Sequence, residues 1–391
     1  MTKQNTIISG WIFTISLMVL FGCPKFNYAQ QQIDNIMLGQ TIEFESKILN
    51  EKRDILIYTP AGYEESDIDF PTLYITDGAE NFFIATAMVN FLSRSRQIPR
   101  MIVVGIPNVN RNRDLSPSVI QGTSNPGGGD NFLTFFEEEL IPYVDKTYKT
   151  SNYKILFGHS LGGVFASYTL FTRPELFNAF ITASPFLMYD NKFVIKEAES
   201  NLNKLSNIER RLYITLGDEP AYHESLNEFT SLLEDNTTTL KWDYQIFNDE
   251  DHASIPVISL LKGLKYIYSD FQLSMETATL GLDAILDHYS IVKSKYDYTV
   301  DISEATFNII GYRLLQNGEI DKAIEVFEYN VKLYPESANV YDSFAEALEQ
   351  TGRKKEAAEN YETAVIIGKK INDPNLAIFE RNLARVQGEV K

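Results

Sequence analysis

Cysteine is nearly absent, since Cys23 is the only one in 391 residues. No intramolecular disulfide can form, and beyond residue 23 no thiol is available as a nucleophile or metal ligand. Histidine is scarce as well: His159, His223, His252 and His288 are all there are, so an imidazole base has few candidates. Basic charge falls short of acidic, 35 Lys and Arg against 53 Asp and Glu, for a formal net charge of -18. Such a surface repels phosphate backbones, and no Lys/Arg stripe offsets it, so nucleic acid is not expected as a partner. Long apolar runs are limited to one, residues 7–22. It is shorter than a membrane span and too near the start for a core helix.

With Lys3 ahead of it, that run reads as the apolar centre of a secretory signal. Residues 1–29 are therefore expected to be removed, by cleavage after Ala29 in NYAQQQ. The competing reading is lipid attachment at Cys23, because Leu20-Phe21-Gly22-Cys23 resembles a lipobox, although Phe21 and Pro24 fit that pattern poorly. Either route predicts an exported protein, periplasmic or attached to the cell envelope.

What the chain does have is core-forming material. Hydrophobic residues make up 44% and aromatics 13%, enough for a folded chain of about two domains. From residue 41 to about 270, β-rich runs alternate with helical stretches. The strands are expected at 41–49, 53–60, 71–78, 100–106, 154–160, 179–185, 211–217 and 241–247. Helices fit at 131–145, 161–172, 224–234 and 255–270. Several later strands are continuously apolar, as strands covered by helices on both faces must be. The alternation predicts an α/β fold with a mostly parallel central sheet over residues 30–272.

After Phe271 strand-like runs stop. A linker helix is expected over 273–300 and helical repeats over 301–391. Shifting the sequence by 34 residues lays Phe307 on Tyr341, Ile310 on Phe344, Gly311 on Ala345 and Leu314 on Leu348. Gly318 then meets Gly352, Ala323 meets Ala357 and Phe327 meets Tyr361. Small residues between large ones at this period resemble tetratricopeptide repeats. Asn330 opposite Ala364 and Pro335 opposite Lys369 depart from it. A last helix is expected from Asp373-Pro374 as a cap. Two repeats are too few to stand alone, so they should pack on the linker helix or the catalytic domain, with a protein partner possible for the groove.

Gly158-His159-Ser160-Leu161-Gly162 is a G-x-S-x-G directly after the apolar strand KILF and before the helical run GGVFASYTLF. A strand-to-helix elbow needs small residues two before and two after its nucleophile, where the backbone is strained and crowded. Ser160 then needs a base to take its proton. His252 suits this role best: it follows the last sheet strand in the polar loop NDEDHAS, and the fold's chain order is nucleophile, acid, histidine. His159 is expected to point away from the reacting face, His288 to lie on a helix surface, and His223 to open a helix. The acid belongs on the loop after RLYITLG, where Glu219 is the first choice, Asp218 the runner-up and Glu224 third. Two backbone N–H groups must hold the oxyanion, each contributing about 2.7–4 kcal/mol. They are expected at Leu161 and, after PTLYITDG, at Ala79. This chemistry calls for no metal and no cofactor.

These blocks, with LYITDGAENFF, RMIVVGIPNVNRNRDLSPS, GGGDNFLTFFEEELIPYVDKTY and FNAFITASPF, resemble the esterase branch of the α/β-hydrolases over about residues 40–270. That branch includes enterochelin, bacillibactin and feruloyl esterases, S-formylglutathione hydrolase and mycolyl transferases. The resemblance implies Ser160 as nucleophile, His252 as base, the N–H after Asp77-Gly78 as an oxyanion donor, and a siderophore, feruloyl or acetyl ester as substrate. Arg113, in the R-x-R-D-L-x-P block, matches a position that in siderophore esterases helps hold an anionic substrate; the alternative is a loop arginine paired with Asp114. At Ser184-Pro185-Phe186 relatives often carry an aromatic further along, which implies a different acyl pocket. Acyl transfer on the same machinery, or an idle hydrolase fold binding a partner through its repeats, are the other functions to weigh.

Overall fold

A computed structural model describes residues 38–122, 125–236 and 239–390. The expected signal, Ala29 and Cys23 lie outside the described residues. The strands are β1 (Gln40–Ser46), β2 (Glu51–Tyr58), β3 (Phe70–Thr76), β4 (Ile102–Ile106), β5 (Thr150–His159), β6 (Ala179–Ala183), β7 (Arg210–Leu216) and β8 (Leu240–Ile246). They form one sheet in the order β1-β2-β4-β3-β5-β6-β7-β8. The β1–β2 and β2–β4 pairs are antiparallel, and every later pair is parallel. Residues of β3, β4 and β6 are buried throughout, as a sheet covered on both faces requires.

The helices around the sheet are α1 (Gly78–Arg94), α2 (Arg111–Leu115), α3 (Gly129–Phe135), α4 (Ile141–Thr147), α5 (Leu161–Thr172), α6 (Tyr189–Asn201), α7 (His223–Glu234) and α8 (Ile255–Ile267). One π-helical turn, Phe136–Leu140, joins α3 to α4, so the expected 131–145 helix is continuous but wider in its middle. Three helices were not expected: α1, the five-residue α2 and α6. α1 carries Phe83 and Phe91 on its exposed side, which blurs its apolar stripe. α6 starts with three residues in left-handed conformation, Asp190, Asn191 and Lys192.

Everything after β8 is helical: α8, then α9 (Met275–Ala278), α10 (Leu282–Tyr296), α11 (Glu304–Gln316), α12 (Ile320–Leu333), α13 (Ala338–Gln350), α14 (Lys354–Ile371) and α15 (Leu376–Val390). The start of α13 lies 34 residues after that of α11, and α14 starts 34 after α12. Gly318 and Gly352, which end the first helix of each pair, share a φ of 79°. The hairpins thus repeat in structure as in sequence. Small residues let the paired helices approach: a Cβ on Gly311 would stand 2.5 Å from the Phe327 ring. Asn330 is fully buried, and its amide donates to Asn308 Oδ1 and Glu304 O, so this departure from the repeat ties two helices together. The final helix begins at Leu376, slightly beyond the expected Asp373-Pro374 start; Asp373 Oδ1 accepts the Asn375 N–H there.

The region expected as one linker helix is two, α9 and α10. Ala278 and Ile285 from them share a core with Phe307, Ile310 and Phe327 of the first hairpin. The other side of α10 meets the sheet. Tyr296 packs on Tyr153 and Tyr268, with ring centroids 5.1 and 4.8 Å away. Asp297 accepts from the N–H and the amide of Asn152. Tyr298 reaches Phe70, and Arg96, at the end of α1, donates to Ser303 and Thr306. Phe70, Asn152 and Tyr153 belong to the N-terminal halves of β3 and β5, so the helical segment sits where the parallel strands begin.

Candidate active site

The motif strand β5 ends at His159, and Ser160 leaves it at φ 58° and ψ -115°. That backbone is rare for a side-chain-bearing residue and costs about 1–3 kcal/mol, which the crowded surroundings sustain. A Cβ on Gly158 would fall 2.0 Å from Gly162 O, and one on Gly162 would fall 2.5 Å from Thr76 Oγ1. Both motif glycines are therefore required by contact. The Ser160 N–H donates to Ala183 O at 2.9 Å, and its carbonyl accepts from Val164 at 3.0 Å. The turn is pinned to β6 on one side and opens α5 on the other.

β3 lies beside β5 in the sheet, and its chain turns the same way. Asp77 caps α1 from a left-handed backbone, with its carboxylate 3.1 Å from where a Gly162 Cβ would be. Two helix N-termini, those of α1 and α5, thus meet beside Ser160. Leu161 and Ala79 lie in their first turns, where N–H groups have no acceptor within the helix and the helix dipole favours negative charge. Asp77 is buried and held by Asn108 Nδ2 at 2.5 Å and by Arg111 Nε and Nη2 at 2.6 and 3.0 Å. Arg111 Nη2 also donates to His159 O at 3.4 Å.

The base and acid come from the loops after β8 and β7. Asp251 builds the base's turn: its carboxylate accepts the N–H groups of Ala253 and Ser254, and its carbonyl accepts that of Ile255, which opens α8. His252, between these residues, points Nδ1 at Glu219 Oε1, 2.6 Å away. The other oxygen of Glu219 accepts from the Ser184 hydroxyl. Of the three expected acids, Glu219 is the one bonded to His252. Asp218 is tied by its backbone N–H to Glu250 O at 2.7 Å, and Glu224 faces out to pair with Lys192.

The motif turn meets His252 at His159. The His159 ring lies 4.7 Å from the His252 ring, centroid to centroid, and Tyr222 flanks His252 at 5.9 Å. Among the described residues Ser160 Oγ makes no hydrogen bond. In ligand-free sites this bond is commonly long and tightens around substrate. The position of His159 differs from expectation: as the last residue of β5 it sets its ring against His252 instead of pointing away. Burial, then the neighbouring His252, pushes the His159 imidazole down to about 4. It is neutral at pH 7 and so places no positive charge beside His252. His288 lies in α10 with Nε2 3.3 Å from Phe271 O, and His223 opens α7; neither contacts Ser160 or His252.

Arg113 lies in a network of ion pairs. Its guanidinium is taken by Glu51 at 2.8 and 2.9 Å and by Asp114 at 2.7 Å, and the buried Arg53 pairs with the same two carboxylates. Burial raises Glu51, but hydrogen bonds from Arg113 and Arg53 outweigh it and hold that carboxyl below its usual value. Arg113 is the loop arginine of the two alternatives, with its charge already neutralised. Arg111, two residues earlier, is the arginine at the site. Among the described residues, no cluster of three His, Cys, Asp or Glu could hold a metal ion.

Known proteins similar to this chain include esterases. Residues 46–218 match the family described as "Putative esterase". The ferri-bacillibactin esterase BesA of Bacillus subtilis is 26% identical over 236 residues, covering 53% of this chain and 79% of that protein. An IroE-like serine hydrolase from Shewanella oneidensis, of solved structure, superposes with a TM-score of 0.63 at 25% identity, over 75% of this chain and 99% of its own. An uncharacterised protein from Capnocytophaga ochracea shares the fold over 89% of this chain and 99% of its own, with a TM-score of 0.69 at 16% identity.

Proposed function

We propose, from the premise that this chain carries an esterase domain of the α/β-hydrolase family, that it cleaves carboxylic esters through an acyl intermediate on Ser160. The observation that carries the assignment of roles is the Glu219–His252 bond at 2.6 Å beside the strained Ser160 turn. With Nδ1 of His252 engaged by the carboxylate, Nε2 is the nitrogen left to take the Ser160 proton. Ser160 Oγ attacks the ester carbonyl, and the resulting oxyanion is held by the N–H groups of Leu161 and Ala79. Collapse breaks the bond to the alcohol oxygen, which leaves with the proton from His252. A water molecule, giving a proton to His252, then attacks the acyl carbon, and collapse of the second oxyanion returns that proton to Ser160 and releases the carboxylic acid.

For substrate, we propose a small-molecule ester of the siderophore type, because BesA is named as a ferri-bacillibactin esterase. Arg111 supports an anionic or polyhydroxylated group near the scissile bond, since its side chain is 38% exposed while anchored to Asp77. The helical segment is read as tetratricopeptide-like, a docking surface for a protein partner, on the strength of its 34-residue offset. Export, through residues 1–29, is tested by the mature N-terminus: a chain starting at Gln30 supports cleavage after Ala29, a lipid-modified Cys23 supports the alternative, and an intact Met1 overturns both.

The test of the enzyme reading is a fluorophosphonate probe. Wild type is expected to label and Ser160→Ala to stay dark; an unlabelled wild type favours an idle, partner-binding fold. Glu219→Ala is expected to lower kcat by about 10³–10⁴-fold, the scale of losing the acid of such a triad. Turnover of a catecholate siderophore ester compared with feruloyl and acetyl esters then ranks the substrates, and faster turnover of a feruloyl or acetyl ester would reject the siderophore proposal.

A further inference from the structure

We infer that Ser184 is a positioning residue that sets the orientation of Glu219, an inference resting on the triad proposed above. Ser184 follows β6 and is fully buried. Its N–H donates to Thr215 O of β7 at 2.8 Å, so its backbone is fixed across two strands. Its hydroxyl donates to Glu219 Oε2 and accepts from the Gly217 N–H at 3.3 Å. The two oxygens of the carboxylate are therefore divided between two partners: Oε1 faces His252, and Oε2 faces Ser184.

The Glu219 side chain is only 10% exposed, whereas that of His252 is 41% exposed. Orientation of the imidazole must come from the buried side of the pair. Apart from the Ser184 hydroxyl, Oε2 has the Gly217 N–H at 3.4 Å, a long contact. Without the hydroxyl the carboxylate is free to rotate, and Oε1 leaves the line to Nδ1. The backbone adds a second observation. Ser184 stands at φ 38°, a conformation that glycine adopts at far lower cost. What serine supplies there is the hydroxyl.

The experiment measures hydrolysis of a p-nitrophenyl ester by full-length wild type, Ser184→Ala, Ser184→Gly, Glu219→Ala and the Ser184→Gly/Glu219→Ala double variant. Ser184→Gly is included because it tolerates the backbone, so loss of fold in Ser184→Ala does not decide the matter. Loss of a hydrogen bond to a charged group is expected to lower kcat by roughly 10- to 100-fold in Ser184→Gly, with KM within about twofold. In the Glu219→Ala background the same substitution is expected to cost less than about twofold, because its target is gone. An equal loss in both backgrounds, or a wild-type kcat in Ser184→Gly, would overturn this inference alone. A wild-type kcat in Glu219→Ala would overturn the acid assignment as well.

Discussion

At the scale of single residues, the two arginines of the R-x-R-D block show how far spacing can be trusted. Arg111 and Arg113 stand two apart on the five-residue α2, and nothing in their spacing says which faces the serine. The contacts decide. Arg111→Ala is expected to lower kcat by roughly 10- to 100-fold, because it frees Asp77 and with it the loop that presents Ala79. Arg113→Ala is expected to leave kcat and KM near wild type and to destabilise the fold by about 1–3 kcal/mol, through the Glu51 and Asp114 charges it leaves behind. Steady-state kinetics and urea unfolding of both variants check this pair; a kinetic defect in Arg113→Ala would restore it as a substrate residue. The Ser160 turn and the pairing of His252 with Glu219 were legible because motif context, chain order and loop position each restrict a residue locally. Ser184 and Asp251 were not, since their partners lie across strands or within a turn whose shape only the folded chain defines.

His159 supplies a dependence on pH. Unfolded, its imidazole takes up a proton near 6.5; folded, it resists until about 4. Between those values the unfolded chain binds more protons, so this residue's contribution to stability is present above about 6.5 and is lost as pH falls toward 4, by up to about 3 kcal/mol. Urea midpoints at pH 7 and pH 4.5 should therefore differ less in His159→Phe than in wild type. Equal differences would show that the ring contact with His252 carries no such linkage.

At the scale of elements, strands were easier to read than helices for a physical reason. β3, β4 and β6 are buried along their whole length and mostly apolar because helices cover both faces, so each stands out from the polar turns around it. α1 is amphipathic only in part, and α6 begins with left-handed residues that no helical period describes. The 34-residue period was legible in part because Gly311 has a steric partner one helix away, the Phe327 ring. Gly311→Ala places a methyl against the Phe327 ring at 2.5 Å and is expected to cost about 1–3 kcal/mol by overpacking. Gly122→Ala is a comparison in which the added methyl meets nothing within 4 Å, so its cost is confined to the backbone. A shift in thermal midpoint for Gly311→Ala no larger than for Gly122→Ala would contradict the close packing of α11 on α12.

At the scale of the molecule, from Leu38 on the chain is one compact unit, and the helical segment and the Ser160 turn lie at opposite ends of the sheet. Tyr153, on which Tyr296 packs, precedes Ser160 by seven residues of extended chain, roughly 23 Å at strand rise. A chain ending at residue 272 would uncover Tyr153, Tyr268 and Phe271, each worth about 1.5–3 kcal/mol when buried. It is expected to melt at lower temperature while each folded molecule turns over a small ester at the full-length rate. Active-site titration against the fluorophosphonate probe gives the number of competent molecules, and a changed rate per titrated site would contradict the separation.

That separation gives the docking of the helical tail its meaning. A partner bound there, as proposed above, would lie where the parallel strands begin, whereas Ser160 stands where they end. Under that proposal, attachment would govern where the reaction takes place and leave the choice of ester to the loops around Ser160.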